Sequence, residues 1–327
     1  MQLIVAVTPA QSINAKKKAA LFDFQCASKD ERNQWVDALV TVGGVNLPIK
    51  GADEYCGVDK DALEQDDDEL ESGMVEMAKT LGVEKLLGKS AEELQAYFAA
   101  IRAQMRDCPF HGWKHVCDVT QMMYTILRST GLASLLSPLQ LVAAFLAAPA
   151  HDLDHRGRSN VIELAEGTDI ALKYPDAPLE THHATLAVET IESCGLMSAL
   201  DDESAALVKE EIRRCIMATD MGHHKEIMEE FQAAESELLG STHTASDFFS
   251  NGEKGMLLLG MLLKASDISN PLRPIACADK WNAAVYEEFY AEGDADRCMN
   301  RDVNPLHDRE TNNISKSSVG FISASFA

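Results

Sequence analysis

The sequence predicts an all-α fold of many helices, preceded by a short strand–helix segment. Three observations carry that expectation. From Met74 onward, apolar residues recur three and four apart almost to the end of the 327 residues. Strand-like alternation is nearly absent from the same stretch. Helix starts are marked by capping boxes, as at Ser90-Ala91-Glu92-Glu93.

The elements follow in order. Residues 2–7 are apolar and β-branched like a strand, and Leu21 to Cys26 alternate as a half-buried strand does. Ser28 then caps a helix, with Glu31 three residues on and Trp35, Val36, Leu39 and Val40 on one face. This strand, cap and helix with a central Trp, roughly residues 15–43, resembles the last part of a pleckstrin-homology domain. The strands that would carry the basic lipid-binding loop of that fold are missing, so the resemblance assigns no phosphoinositide-binding residue. An appendage without a binding role is the simpler reading. Residues 47–73 hold Pro48, Gly51, Gly57 and the run Glu64-Gln65-Asp66-Asp67-Asp68-Glu69. An acidic block without aromatic anchors reads as a solvated linker. The expected organisation is therefore a segment over 1–46, a linker over 47–73 and a helical domain over 74–327.

Within that domain, Leu94, Tyr97, Phe98, Ile101 and Met105 form an apolar face after the Ser90 cap. Further helices are predicted at Val116 to Leu127, Glu180 to Ile191, Ala205 to Ala218, Gly255 to Ala265 and Ala278 to Tyr290. The stretch LQLVAAFLAAPA, from Leu139, is apolar on most sides and too short to span a bilayer. It reads as a core helix.

Composition narrows the function. The formal net charge is −23, which argues against nucleic-acid polymers and anionic lipid as general partners. The eight cysteines form no C-x-x-C pair and mostly lie within helical patterns, as buried thiols in a reducing compartment do. The start has no basic segment before its short apolar run, unlike a signal peptide. The expectation is a cytoplasmic protein. Peripheral membrane contact, or a weak protein contact, is left to the N-terminal segment, and the oligomeric state is open.

The chemistry sits in four clusters of histidine and acid. His111 and His115 are spaced to share one helix face. His151, Asp152, Asp154 and His155 follow the core helix directly, where polar groups are costly unless paired or bound to metal. Glu180-Thr181-His182-His183 is the third cluster. Asp267 ends the apolar run from Met256 to Leu263. A paired buried His–Asp network is the bland alternative for any one of them. Together they offer imidazoles and carboxylates that suit Zn²⁺, with hard oxygen ligands left for Mg²⁺ or Mn²⁺. Paired cations activate water and stabilise displacement at phosphorus, so the residues alone reach a metal-dependent phosphoester hydrolase on helices.

The motifs FHGWKHVCDVTQ, HDLDHRGRSN, LETHH, ATDMGHH and ASDISNP, in this order, resemble the class I cyclic nucleotide phosphodiesterases of the HD superfamily over about residues 75–322. HDLDHRGRSN fits the family pattern H-D-x-x-H-x-G-x-x-N in full. The resemblance implies the multi-helix phosphodiesterase catalytic fold and a cAMP or cGMP substrate. It implies that His115, His151, Asp152 and Asp267 are ligands of a tight ion, usually Zn²⁺, with Asp152 bridging to a second, usually Mg²⁺. His111 corresponds to the general acid, and His155, Glu180 and Thr219 to groups that hold metal-bound waters. Asn270, Trp281, Val285, Phe289, Ser318 and Phe321 correspond to the purine pocket, with the base clamped between Phe321 and a wall that includes Val285. The resemblance assigns no ligand role to His182, His183, His223 or His224.

Three departures from the family pattern stand out. Gly112 replaces an Asn after the general-acid His, and a glycine inside a helix would loosen the turn that aims His111. Ser318 replaces the purine-selective Gln. The chain stops at Ala327, where relatives continue with further helix. With the fragmentary N-terminus, this points to an incomplete gene model or a divergent member. A degenerate nucleotide-binding or scaffolding relative with little turnover, or an HD-type hydrolase of another phosphoester, is the competing expectation.

Overall fold

The computed structural model describes residues 53–240, 244–249 and 252–325. The segment expected over residues 1–46 lies outside them. Among the described residues there are helices and no strands. They fall into two compact units, one of Glu54–Arg128 with Leu132–Ser269 and the other containing Ser129–Gly131 and the chain from Asn270 onward.

The larger unit begins with α1 (Asp67–Leu81), α2 (Val83–Leu87) and α3 (Ala91–Gln104). Here the structure corrects the expected linker. The acidic run is a helix start: Asp66 accepts from the Glu69 amide at 2.7 Å, and Glu69 accepts from the Asp66 amide at 3.2 Å. Asp67, Asp68 and Glu69 fill the first turn, where the helix dipole favours acids. Asp67 and Asp68 also pair with Arg102 of α3 at 3.0 and 2.8 Å. Dense negative charge looks like a linker until it has a helix end and an arginine to face. The Ser90 capping box forms as expected, and Tyr97, Phe98 and Ile101 are fully buried.

Next come α4 (Trp113–Ser129) and α5 (Pro138–Ala147). Ser137 and Gln140 close another capping box around Pro138 at the first turn of α5. All residues of α5 from Gln140 to Ala147 are buried, as are Ala148, Pro149 and Ala150 beyond it. Each buried Leu, Val or Phe of this run contributes roughly 1.5–3 kcal/mol of transfer free energy. The Tyr97 hydroxyl donates to the Leu146 carbonyl at 2.8 Å. Pro149 has no amide proton, and the chain leaves α5 through a 3₁₀ turn, Ala148–Ala150. That turn delivers His151.

The unit continues with α6 (Asn160–Glu166), α7 (Asp169–Lys173), α8 (Pro178–Ser193), α9 (Asp202–Met217), α10 (His224–Gly240), α11 (Ala245–Phe249) and α12 (Gly252–Asp267). α9 packs against α5, α8 and α12. In the second unit, α13 (Ile275–Cys298) is followed by α14 (Ile314–Ser325). No helix among the described residues is long and apolar enough to cross a membrane.

Candidate metal centre and active site

Three segments of the larger unit meet at one point. His115 comes from the first turn of α4, His151 and Asp152 from the turn after α5, and Asp267 from the last residue of α12. His115 Nε2 lies 3.0 Å from Asp267 Oδ1 and 3.4 Å from Asp152 Oδ2. His151 Nε2 lies 3.2 Å from Asp152 Oδ2 and 3.4 Å from Asp267 Oδ1. Four donors bound tetrahedrally at ~2.1 Å would stand about 3.4 Å apart, and the four His–Asp separations are close to that. His151 donates through Nδ1 to the Ala148 carbonyl at 2.9 Å, which leaves Nε2 as the lone-pair nitrogen facing the cluster. His151 Nε2 and Asp152 Oδ2 are buried without a hydrogen-bond partner. Orphaned polar atoms at that depth are costly, and a cation is the partner their chemistry asks for. His115, His151 and Asp152 form a buried group that could hold a metal ion, and Asp267 lies beside both histidines.

The electrostatics match. Burial pushes the His115 ring down, but Asp152 and Asp267 reverse this and raise it to about 9. His151 follows the same pattern and is raised well above its usual range. For both carboxylates burial works upward, and the two imidazoles bring them well below the ordinary range. The two carboxylates thus favour positive charge at this point, whether it is carried by the imidazoles or by a cation.

A second group of donors shares Asp152. His155 and His183 place ring nitrogens within reach of it, and all three residues are buried. His183 donates through Nδ1 to the Leu153 carbonyl at 2.6 Å, and its Nε2 has no hydrogen-bond partner. Burial lowers the His183 ring to about 4. The resemblance assigned this residue no ligand role. Its sequence signal was only a doubled histidine, and burial singles it out. His155 accepts the Gly157 amide on Nδ1 at 3.0 Å. Burial, and then the neighbouring His111, keep it well below the usual histidine range.

His111 does not share a helix face with His115. Gly112 stands at the N-cap of α4, its carbonyl accepting from the His115 and Val116 amides at 3.1 and 3.3 Å. His111 therefore belongs to the preceding loop. Its ring stacks on His155 with centroids 3.9 Å apart and lies 5.7 Å from the His115 ring. The expected cost of a glycine in the helix interior falls away, because glycine is well tolerated at an N-cap. A Cβ at Gly112 would lie 3.1 Å from the Cys108 carbonyl, so the small residue also lets the loop pass close.

Glu180 accepts from the Asn160 side-chain amide at 2.7 Å, and Asn160 Oδ1 accepts the Leu179 amide at 2.9 Å. Asn160, present in the motif without an assigned role, thereby orients Glu180 at the start of α8. Burial raises the Glu180 carboxyl, against the pull of the Asn160 bond and with the charges of Asp220 and Asp152 adding to the rise. Thr219 is buried, its hydroxyl donating to the Ile216 carbonyl at 2.7 Å. Lys264 of α12 is another unassigned residue: its ammonium donates to the Ala218 and Asp220 carbonyls, both at 3.1 Å, at the end of α9. Its burial is what singles it out.

In the second unit, Trp281, Val285 and Phe289 lie four apart on α13, with Trp281 almost wholly buried. Phe289 stacks on His307 at 4.8 Å and 21°. Asn270 is buried in a short 3₁₀ turn. Ser318 of α14 donates to the Ile314 carbonyl at 2.9 Å and lies 3.0 Å from Asn282 Oδ1 of α13. Phe321 is 40% exposed.

Comparison with known proteins agrees with this chemistry. A family model described as 3′5′-cyclic nucleotide phosphodiesterase matches residues 110–326. The high affinity cGMP-specific 3′,5′-cyclic phosphodiesterase 9A of Mus musculus is 30% identical over 258 residues, covering 78% of this chain and 46% of that protein. The 3′,5′-cyclic-AMP phosphodiesterase, isoform F, of Drosophila melanogaster is 29% identical over 223 residues, covering 67% of this chain and 33% of that protein. The chain thus spans less than half the length of these relatives. The crystal structure of the phosphodiesterase domain of the RhoPDE fusion protein from the choanoflagellate Salpingoeca rosetta superposes with a TM-score of 0.76 at 28% identity, covering 83% of this chain and 85% of that one. The matched region covers more than half of the chain and takes in every residue of the His–Asp cluster, and on that footing the chain belongs to the 3′,5′-cyclic nucleotide phosphodiesterase family.

Proposed function

We propose that this chain hydrolyses 3′,5′-cyclic nucleotides, cAMP or cGMP or both, to nucleoside 5′-monophosphates, and so terminates a signal. The observation that carries the reading is the convergence of His115, His151, Asp152 and Asp267, with His–Asp separations of 3.0–3.4 Å and with His151 Nε2 and Asp152 Oδ2 lacking hydrogen-bond partners. These four would hold a tight Zn²⁺, and Asp152 a second ion, Mg²⁺ or Mn²⁺, beside it. When bound, such cations supply a hydroxide near neutral pH and offset the negative charge of the phosphate.

The remaining work falls to the chain itself. Breaking the P–O3′ bond leaves an alkoxide that must be protonated, and His111 is assigned as the donor. Its ring is held by stacking on His155. Asn160 fixes Glu180, which with Thr219 and His155 would anchor the waters around the second ion. Asn270, Trp281, Val285, Phe289, Ser318 and Phe321 are assigned to the purine, with Phe321 stacking on one face and Val285 contributing to the other.

The test is turnover. Purified protein is assayed on cAMP, cGMP and a panel of other phosphoesters, with Zn²⁺, Mg²⁺ and Mn²⁺ added back. Conversion of a cyclic nucleotide to the 5′-monophosphate supports the reading. Hydrolysis confined to other phosphoesters, or nucleotide binding without turnover, overturns it.

A further inference from the structure

The loop that carries His111, residues 105–112, belongs to no helix, yet it is tied to the 151–157 turn at two points. Arg106 Nε donates to Asp154 Oδ1 at 2.6 Å. Cys108 Sγ donates to the His155 carbonyl at 3.4 Å. The other oxygen of Asp154 lies 2.9 Å from His182 Nε2, on α8. Both carboxylate oxygens are therefore engaged, one by the loop and one by a helix. Asp154 has a φ of 61°, and aspartate is among the few residues that occupy this left-handed region without glycine's freedom. The turn thus sets where the carboxylate stands, and the carboxylate sets where the loop stands.

Thermodynamics cannot be the main use of this contact. Arg106 is exposed, and exposed ion pairs add little to stability. Geometry is the better use, since an acid must stay within hydrogen-bond distance of the oxygen it protonates.

We propose that Arg106 is a positioning residue for proton delivery by His111: through Asp154, braced by His182, it holds the loop so that His111 stays stacked on His155. The inference rests on the reading of His111 as the general acid.

The experiment uses the metal-loaded full chain and two substrates. One is the natural cyclic nucleotide. The other carries sulfur in place of O3′, so that its thiolate departs without a proton. Arg106→Ala is expected to lower kcat on the natural nucleotide about tenfold and to leave the sulfur analogue within about twofold of wild type. KM, bound metal and Tm should stay unchanged, and Arg106→Lys should recover part of the loss. In combination with His111→Ala, Arg106→Ala should add little further loss, since the two act on one step. Equal losses on both substrates, additive losses in the double variant, or an unchanged kcat would each overturn the proposal. If His111→Ala itself lowers both substrates equally, the acid assignment has failed, and that outcome is distinct from a failure of Arg106 alone.

Discussion

His111 and His115 are four positions apart and stand in different settings. His115 sits inside the four-donor cluster, whereas His111 sits outside it on the loop, stacked on His155. His111→Ala should therefore lower kcat by roughly 10²–10⁴-fold with bound metal intact. Metal analysis of the purified variant checks this, and loss of the ion would make His111 a ligand. Ser318 poses a second question at this scale. Its hydroxyl lies against the Ile314 carbonyl and Asn282 Oδ1, so it is committed within its own unit. A glutamine amide offers a purine edge both a donor and an acceptor, which a serine is too short to supply directly. A lost polar pair of this kind is worth roughly 1–3 kcal/mol. Ser318→Gln should lower KM for cAMP and cGMP about ten- to hundredfold with kcat little altered. Unchanged KM on both nucleotides would remove position 318 from the base pocket.

At the scale of elements, the start of α4 is the sensitive point. Gly112 caps that helix and lets the Arg106–Cys108 backbone pass within 3.1–3.4 Å of where a Cβ would lie. Gly112→Ala should cost about 1 kcal/mol, from a poorer cap and a tighter contact, read as a lower midpoint in urea unfolding. α9 carries a different burden. Glu211 is buried on it, with Oε2 lacking a hydrogen-bond partner, and burial raises its carboxyl to about 7. The folded chain therefore keeps a proton that the unfolded chain has already released between about pH 4.5 and 7. Stability falls as pH rises through that window and stays lowered above it. Glu211→Gln should raise Tm at pH 8 and leave it nearly unchanged at pH 4. Parallel Tm–pH curves for the two proteins would rule this out.

Across the molecule, the His–Asp cluster joins segments far apart in the chain: α4, the turn after α5 and the end of α12. An ion bound only by the folded state stabilises by mass action, by about 3 kcal/mol at a hundredfold excess over Kd. Chelation should therefore abolish hydrolysis and also lower Tm, and Asp267→Asn should do both without chelator. Calorimetry with and without metal tests the second effect independently of activity. A metal-free protein with full activity and unchanged Tm would overturn the cluster's assignment.

Much of this is legible in the amino-acid sequence. The helical period after Met74, the capping box at Ser90 and the apolar run into His151 depend on local spacing, and local spacing is what a sequence displays. Residue types display the ligand chemistry, because imidazole and carboxylate at the end of a buried helix have few other uses. Other features depend on neighbours that sequence does not show. The acidic run is a helix start because Arg102 faces it, and Gly112 is a cap because the chain turns sharply at Phe110, whose carbonyl accepts the Gly112 amide at 2.7 Å. His183, Asn160, Lys264 and Arg106 gain their places from burial and from partners up to 48 residues away. Propensity and spacing act within a few residues, while burial and charge pairing are settled only when distant segments pack together. That is why the chain alone announces helices and a metal chemistry, and why packing decides which side chains aim and brace it.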